Sequence, residues 1–147
     1  RGGEDDLLRI VRKAEVLKTF LKTDDGANLL VAYRRANNIV EIESKKDKKI
    51  YFDSPDERQF KQDEERILWR ALNEAIQESG PNLEMAEFEK AVLALARLRK
   101  PIDDFFDRVT VNAPEQKLRE NRLRLLSQIT QTMNRVAQFS EIQGGER

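Results

Sequence analysis

The feature that most constrains this chain is an apolar stripe near its C-terminal end that keeps helical register over several turns. At about 100° per residue, Leu118, Leu125, Ile129 and Val136 fall on one line, with Leu126 and Met133 beside it. The pattern predicts a helix from Glu115 to about Gln138 with one face wholly removed from water, so other helices must be built to cover it. Arg122 lies inside the stripe. A guanidinium there needs a partner, because an unpaired buried charge costs several kcal/mol. Two outcomes are open: a structural pair with Asp103, Asp104 or Asp107, of which Asp107 is the expected partner, or a head that snorkels to a surface where it meets RNA.

The same 3.6-residue period recurs upstream. Leu7, Ile10, Val11, Ala14, Leu17 and Leu21 make one stripe, and Leu29, Ala32, Tyr33, Ala36, Ile39 and Val40 make another. Between them Thr23-Asp24-Asp25-Gly26 breaks the period, and Asp24 or Asp25 is the expected cap of the second helix. A break this short predicts an antiparallel hairpin over residues 1–43. Residues 44–54 carry four lysines ahead of Tyr51 and Phe52, without a helical period, and read as a loop. Ser54-Pro55-Asp56-Glu57 then has the form of a capping box with Pro at the first helical position, opening a bundle core over 55–147. In that core Ile67, Leu68, Ala71, Leu72, Ala75 and Ile76 share a side, with a break near Phe60 and an end at Gly80-Pro81-Asn82. From Glu84 to Arg99 apolar residues cover most of the circumference, which predicts the centre of the bundle. Pro101 restarts the chain in a short helix with Ile102, Phe105, Phe106 and Val109 on one face, and Pro114 precedes the last helix. The expected fold is all-α, a bundle of about five to six helices forming a single domain over 1–147.

Composition narrows function mainly by exclusion. The chain has no Cys and no His, which removes the thiolate nucleophile, the imidazole base and the zinc ligands that most soluble active sites use. Twenty-seven basic residues balance 27 acidic ones, so a coat that binds nucleic acid through bulk charge is not expected, and any RNA contact is local. No apolar run approaches a membrane span and no signal-peptide pattern opens the chain, so a cytoplasmic location is expected. Beginning in Arg-Gly-Gly without Met, it reads as a fragment of something longer or as a processed terminus. Asp103 and Asp104 could be read with Asp107 as an acid/base or metal group, but in the first turn after Pro101 they favour the helix dipole without catalysis. No catalytic residue and no metal ligand is assigned.

Arg34, Arg35 and Asn38 occupy the polar side of the second helix. They are either a solvated face or contacts to phosphates and base edges, which Arg forks and Asn amides suit. The Lys45–Lys49 run is either a solvated loop or a phosphate contact assisted by Tyr51 or Phe52.

Lys100-Pro101-Ile102-Asp103-Asp104-Phe105-Phe106-Asp107-Arg108-Val109-Thr110-Val111-Asn112, followed by Leu118-Arg119-Glu120-Asn121-Arg122-Leu123-Arg124-Leu125-Leu126, resembles the C-terminal part of the bacterial glycyl-tRNA synthetase beta subunit family. Thr23 to Leu30 and Tyr33 to Ile39 resemble that family's upstream hairpin, so the likeness covers nearly the whole chain. It departs in the lysine loop and at Thr110, where Met is expected. The second half also resembles the DALR anticodon-binding bundle of arginyl-tRNA synthetases. The resemblance implies a domain that grips the anticodon loop of glycine tRNA, with the rest of a beta subunit upstream of Arg1. It implies that glycine activation, with ATP and Mg, belongs to a separate alpha subunit, and that no cofactor sits in this fragment. The expected RNA contacts are Arg34, Arg35 and Asn38, together with Arg108, Asn112, Arg119 and Asn121, while Asp107 and Arg122 hold the junction rigid. Splayed bases are expected to stack on Tyr33, Tyr51 or an Arg plane. The alternative is a helical module that docks a partner subunit.

Overall fold

The computed structural model describes residues 3–78 and 85–136. Among the described residues the chain is all-α: α1 Gly3–Leu21, α2 Asp24–Asp47, α3 Asp63–Gln77, α4 Met85–Ala96, α5 Arg99–Arg108 and α6 Gln116–Val136, with one 3-10 turn at Glu57–Gln59. The expected end at Gly80-Pro81-Asn82 and the last residues of the C-terminal helix lie outside the described residues. No described helix is long and apolar enough to cross a membrane.

The C-terminal stripe organises the core. Leu118, Leu125, Leu126, Ile129, Met133 and Val136 are all buried, and so is Leu123 on a different side of α6. That second side is covered because α6 packs against α2, α3, α4 and the 3-10 turn. Helix α6 is therefore the centre of the bundle, not the 84–99 segment that apolar content alone favours. On α4, Phe88, Ala91, Val92 and Leu95 face inward, but Leu93 is 61% exposed. Helix α5 closes the bundle by packing on α2 and α3.

Helices α1 and α2 form the expected hairpin, with a different cap. Thr23 Oγ1 accepts from the Gly26 amide at 3.0 Å while its hydroxyl donates to the Phe20 carbonyl at 2.6 Å, so one side chain closes both helix ends. Asp24 and Asp25 sit in the first turn, where their charge suits the dipole, and Lys45 and Lys46 occupy the last turn. The lower half of the α1 stripe, Val16 to Leu21, packs on the core, whereas Leu7, Ile10 and Val11 remain largely exposed.

Two further boundaries differ from expectation. Helix α2 runs through Ser44 to Asp47, so the loop begins only at Lys48, whose left-handed φ of 55° lets its amide bond back to Lys45 and Ser44. No α-helix starts at Ser54-Pro55. Asp56 caps the 3-10 turn alone, and the capping box sits at Gln62 and Glu65 as the start of α3. The break near Phe60 is present, with extended backbone at that residue.

Gly26 fits the hairpin because it has no side chain. A Cβ built there would collide with the Phe20 carbonyl oxygen and come within 2.6 Å of its carbon, both backbone atoms that cannot swing aside. Gly→Ala at an unstrained helical site stabilises by about 0.4–1 kcal/mol. Here the sign should reverse: Gly26→Ala should lose at least about 1–3 kcal/mol, the usual range for overpacking, measured as a lower urea midpoint. An unchanged or raised midpoint would contradict the close approach.

Candidate nucleic-acid interface

The junction between α5 and α6 is held by one buried pair. Arg122 donates from Nε to Glu65 Oε2 at 3.1 Å and from Nη2 to Glu65 Oε1 at 3.3 Å and Gln62 Oε1 at 3.1 Å. Its Nη1 donates to the Thr110 carbonyl at 2.6 Å. Glu65 is fully buried, and its Oε1 also accepts from the amides of Lys61 and Gln62, each at 2.9 Å. Arg122 is thus structural, but its partner is Glu65 and not Asp107. The reason is position: Glu65 is the third residue of α3, so capping the helix already points its carboxylate at α6. Asp107 is exposed and makes no ion pair among the described residues. Asp103 and Asp104 pair with Arg99 and Lys100 one helical turn away, and Arg99 also meets Asp25.

A second ionic network joins α2 to α6. Arg119 bonds Glu43 at 2.5 Å and Asp47 at 2.8 Å, and its Nε donates to Asn112 Oδ1 at 3.0 Å. The hydrogen bond from Arg119 holds the Glu43 carboxyl below the usual carboxylate range, with Asn112 and Lys46 adding to the effect against burial. Asp47 is lowered chiefly by the Tyr51 hydroxyl and then by Arg119. Tyr51 is pushed up to about 12, first by burial and then by that bond to Asp47.

These contacts sort the expected RNA contacts by accessibility. Asn121 is 1% exposed, and its amide clamps the backbone of Asp56, accepting from the amide at 2.6 Å and donating to the carbonyl at 3.0 Å. Arg119 is committed to carboxylates. Arg34 is half-buried. Arg35, Asn38, Arg108 and Asn112 are exposed. Of the expected stacking residues, Tyr33 and Tyr51 are 1% and 2% exposed, so neither ring has a free face.

Arg35 and Asn112, far apart in the chain, meet in one groove of about 310 Å³ between α2 and the α5–α6 junction. Ile39, Ile42, Phe106 and Val111 wall it, and the buried Glu43 also lines it. The Arg35 guanidinium stacks on the Phe106 ring, 4.2 Å from its centroid, and no carboxylate of the described residues pairs with it. Its N–H edge is therefore available to an incoming acceptor. Asn112 is engaged by Arg119, but an amide has two hydrogens and two lone pairs, so capacity remains. The apolar walls and Glu43 were not read as site residues from the sequence. Glu43 and Asp47 one turn apart on α2, matched to an Arg, were the available signal.

Nothing among the described residues gathers three or more His, Cys, Asp or Glu side chains around a possible metal.

The family model described as the DALR anticodon binding domain matches residues 29–143. The chain is 49% identical to the glycine–tRNA ligase beta subunit of Rhodospirillum centenum over 97% of its own length and 20% of the relative's. It is 47% identical to the one from Phenylobacterium zucineum, over 97% of this chain and 21% of that one. For Cereibacter sphaeroides the identity is 46% over 97% and 20%. The chain therefore spans about a fifth of the length of these curated relatives.

If Glu65 and not Asp107 neutralises Arg122, Glu65→Gln should cost about 3–5 kcal/mol, the range for breaking a buried pair. Asp107→Asn should stay within about 0.5 kcal/mol, as exposed substitutions do. Urea unfolding of both variants checks this, and equal losses would contradict the assignment.

Proposed function

The chain belongs to the DALR anticodon binding domain family, and from that premise we propose that it grips the anticodon loop of glycine tRNA as part of a glycine–tRNA ligase beta subunit. The observation that carries this reading is the groove, where Arg35 from α2 and Asn112 from the α5–α6 junction converge beside apolar walls. Its volume lies at the low end of small-ligand pockets, about 300–1,000 Å³, which suits one splayed base better than a duplex.

Glycine codons begin GG, so glycine anticodons end in two cytosines. A cytosine reader accepts from the N4 amino group and donates to the ring's acceptors. Arg35 and Asn112 supply donors. Glu43 lines the groove but is buried against Arg119, so the acceptor is the second lone pair of Asn112 Oδ1. Asn38 and Arg108, both exposed, add phosphate contacts next to it. The two ionic networks hold these groups in place.

Aminoacylation itself is assigned to the rest of the enzyme, with glycine activated on an alpha subunit in the cytoplasm. ATP and Mg are assigned with it, and Asp103 and Asp104 are paired with Arg99 and Lys100. The second reading, docking of a partner subunit, draws on the exposed Leu7, Ile10 and Val11 of α1. The two readings differ in which surface matters.

Filter binding of the chain to a glycine anticodon stem-loop tests the proposal. Exchanging the two cytosines should weaken binding by about 1–3 kcal/mol for each base, the usual penalty for a wrong base edge. Arg35→Ala should weaken binding with an unchanged melting temperature. Equal affinity for both loops would remove the specific-readout claim, and no binding to either loop would favour docking.

A further inference from the structure

Between α2 and the 3-10 turn the chain crosses the surface of α6 in an irregular segment, residues 48–56, that is tied down along its length. Tyr51 turns inward, its hydroxyl donating to Asp47 Oδ2 at 2.6 Å and its ring covered by Lys49 and Arg124, whose cationic groups lie 5.6 and 5.9 Å from the centroid. The Phe52 carbonyl accepts from Gln128 Nε2 at 3.3 Å and from Gln131 Nε2 at 3.1 Å. Pro55 is buried, and Asn121 grips the Asp56 backbone from both sides. Lys49 is tied to Glu120 at 3.1 Å.

All these anchors come from α2 and α6, and they fix the backbone while leaving two apolar side chains in water. Phe52 is 65% exposed and Ile50 is 84% exposed. A single exposed apolar residue is unremarkable on a soluble protein. Phe52 differs because its own carbonyl is held by two glutamines, so the ring projects from a fixed point and not from a loose loop. Fixing the segment in the free protein removes an ordering cost that would otherwise fall on binding.

Among the described residues Phe52 is the one exposed aromatic side chain, Trp69 and Phe106 being half-buried. Tyr33, Tyr51, Phe60, Phe88 and Phe105 are all buried, and Phe106 carries the Arg35 guanidinium. The charge around the segment is mixed: Lys48 is exposed, Lys49 and Arg124 keep 44% and 26% of their side-chain surface but both pair with Glu120, and Asp53 beside Phe52 is exposed. An exposed aromatic face held at a fixed point, with an exposed lysine on the same segment, suits a nucleobase and a nearby phosphate. The Glu43–Arg119–Asp47–Tyr51 network links this segment to the groove.

We infer that Phe52 is a stacking platform for an unpaired nucleobase of the RNA held in the groove, with Ile50 widening the apolar face and the exposed Lys48 meeting a nearby phosphate. The inference rests on the anticodon-loop reading above and deepens it: the groove reads a base edge, and the pinned segment holds another base of the same RNA by its face, without regard to its identity.

The test uses the chain with a glycine anticodon stem-loop, comparing wild type, Phe52→Leu and Phe52→Trp across a salt series. Phe52→Leu keeps an apolar side chain but removes the π-face. It should weaken binding about 5- to 150-fold, the effect of losing one stacked base. The factor should be the same at every salt concentration, since stacking releases no counterions, and the melting temperature should not move. Phe52→Trp should bind as wild type or tighter. A fluorescent 2-aminopurine placed in the loop should be quenched by wild type and less so by Phe52→Leu. Wild-type affinity in Phe52→Leu, or an affinity loss accompanied by a lower melting temperature, would overturn this inference and leave the groove reading standing. A wild-type chain that does not bind the stem-loop would overturn both.

Discussion

Everything in this bundle depends on how a charge inside an apolar stripe is satisfied. Arg122 lies on the central helix among buried leucines, where an isolated guanidinium would unfold the domain. Glu65 neutralises it while capping α3 through two amides, so a single carboxylate sets both the start of one helix and the register of another against it. The remaining guanidinium hydrogens reach the Thr110 carbonyl and the Gln62 side chain, which fixes the turn between α5 and α6. That turn carries Asn112, and its position relative to α2 is what makes the groove.

A second division of labour follows from the ionic network on the other side of α6. Arg119 is held between Glu43 and Asp47 and aligns Asn112, so it acts through its neighbours. Arg35, a few turns up α2, stacks on Phe106 and keeps its hydrogen-bonding edge open. Basic residues of the same type are thus structural or exposed according to whether a carboxylate of a facing helix reaches them. In a chain of zero formal charge this matters, because binding must come from a few well-placed cations and not from a general positive field.

The sequence made the helices legible and left the pairings between them mostly hidden. The stripe of α6, the hairpin of α1 and α2 and the break near Phe60 follow from period and punctuation. The partner of Arg122 did not, since nearest-in-sequence acids on the preceding helix look as suitable as Glu65, and only packing brings α3 to that face. Asn121 and Arg119 read as surface polar groups because a wheel shows which residues share a side, not what lies opposite. Tyr33 and Tyr51 read as stacking platforms for the same reason, and both are covered. Apolar content put the 84–99 helix at the centre, whereas α6 takes that place through polar residues such as Asn121 and Gln128 that bond to loop backbone. Arg35, Asn38, Arg108 and Asn112, chosen from the sequence, do lie at the surface.

The central claim is that the face formed by α2 and the α5–α6 junction is where RNA sits. Amide hydrogen exchange of the chain with and without a glycine anticodon stem-loop locates the contact without altering any residue. The account predicts slower exchange on RNA binding in the segments around Arg35–Ile42 and Arg108–Asn112, with the outer face of α3 and the first half of α1 unchanged. Protection confined to α1 or α3, with those segments exchanging as in the free chain, would contradict it.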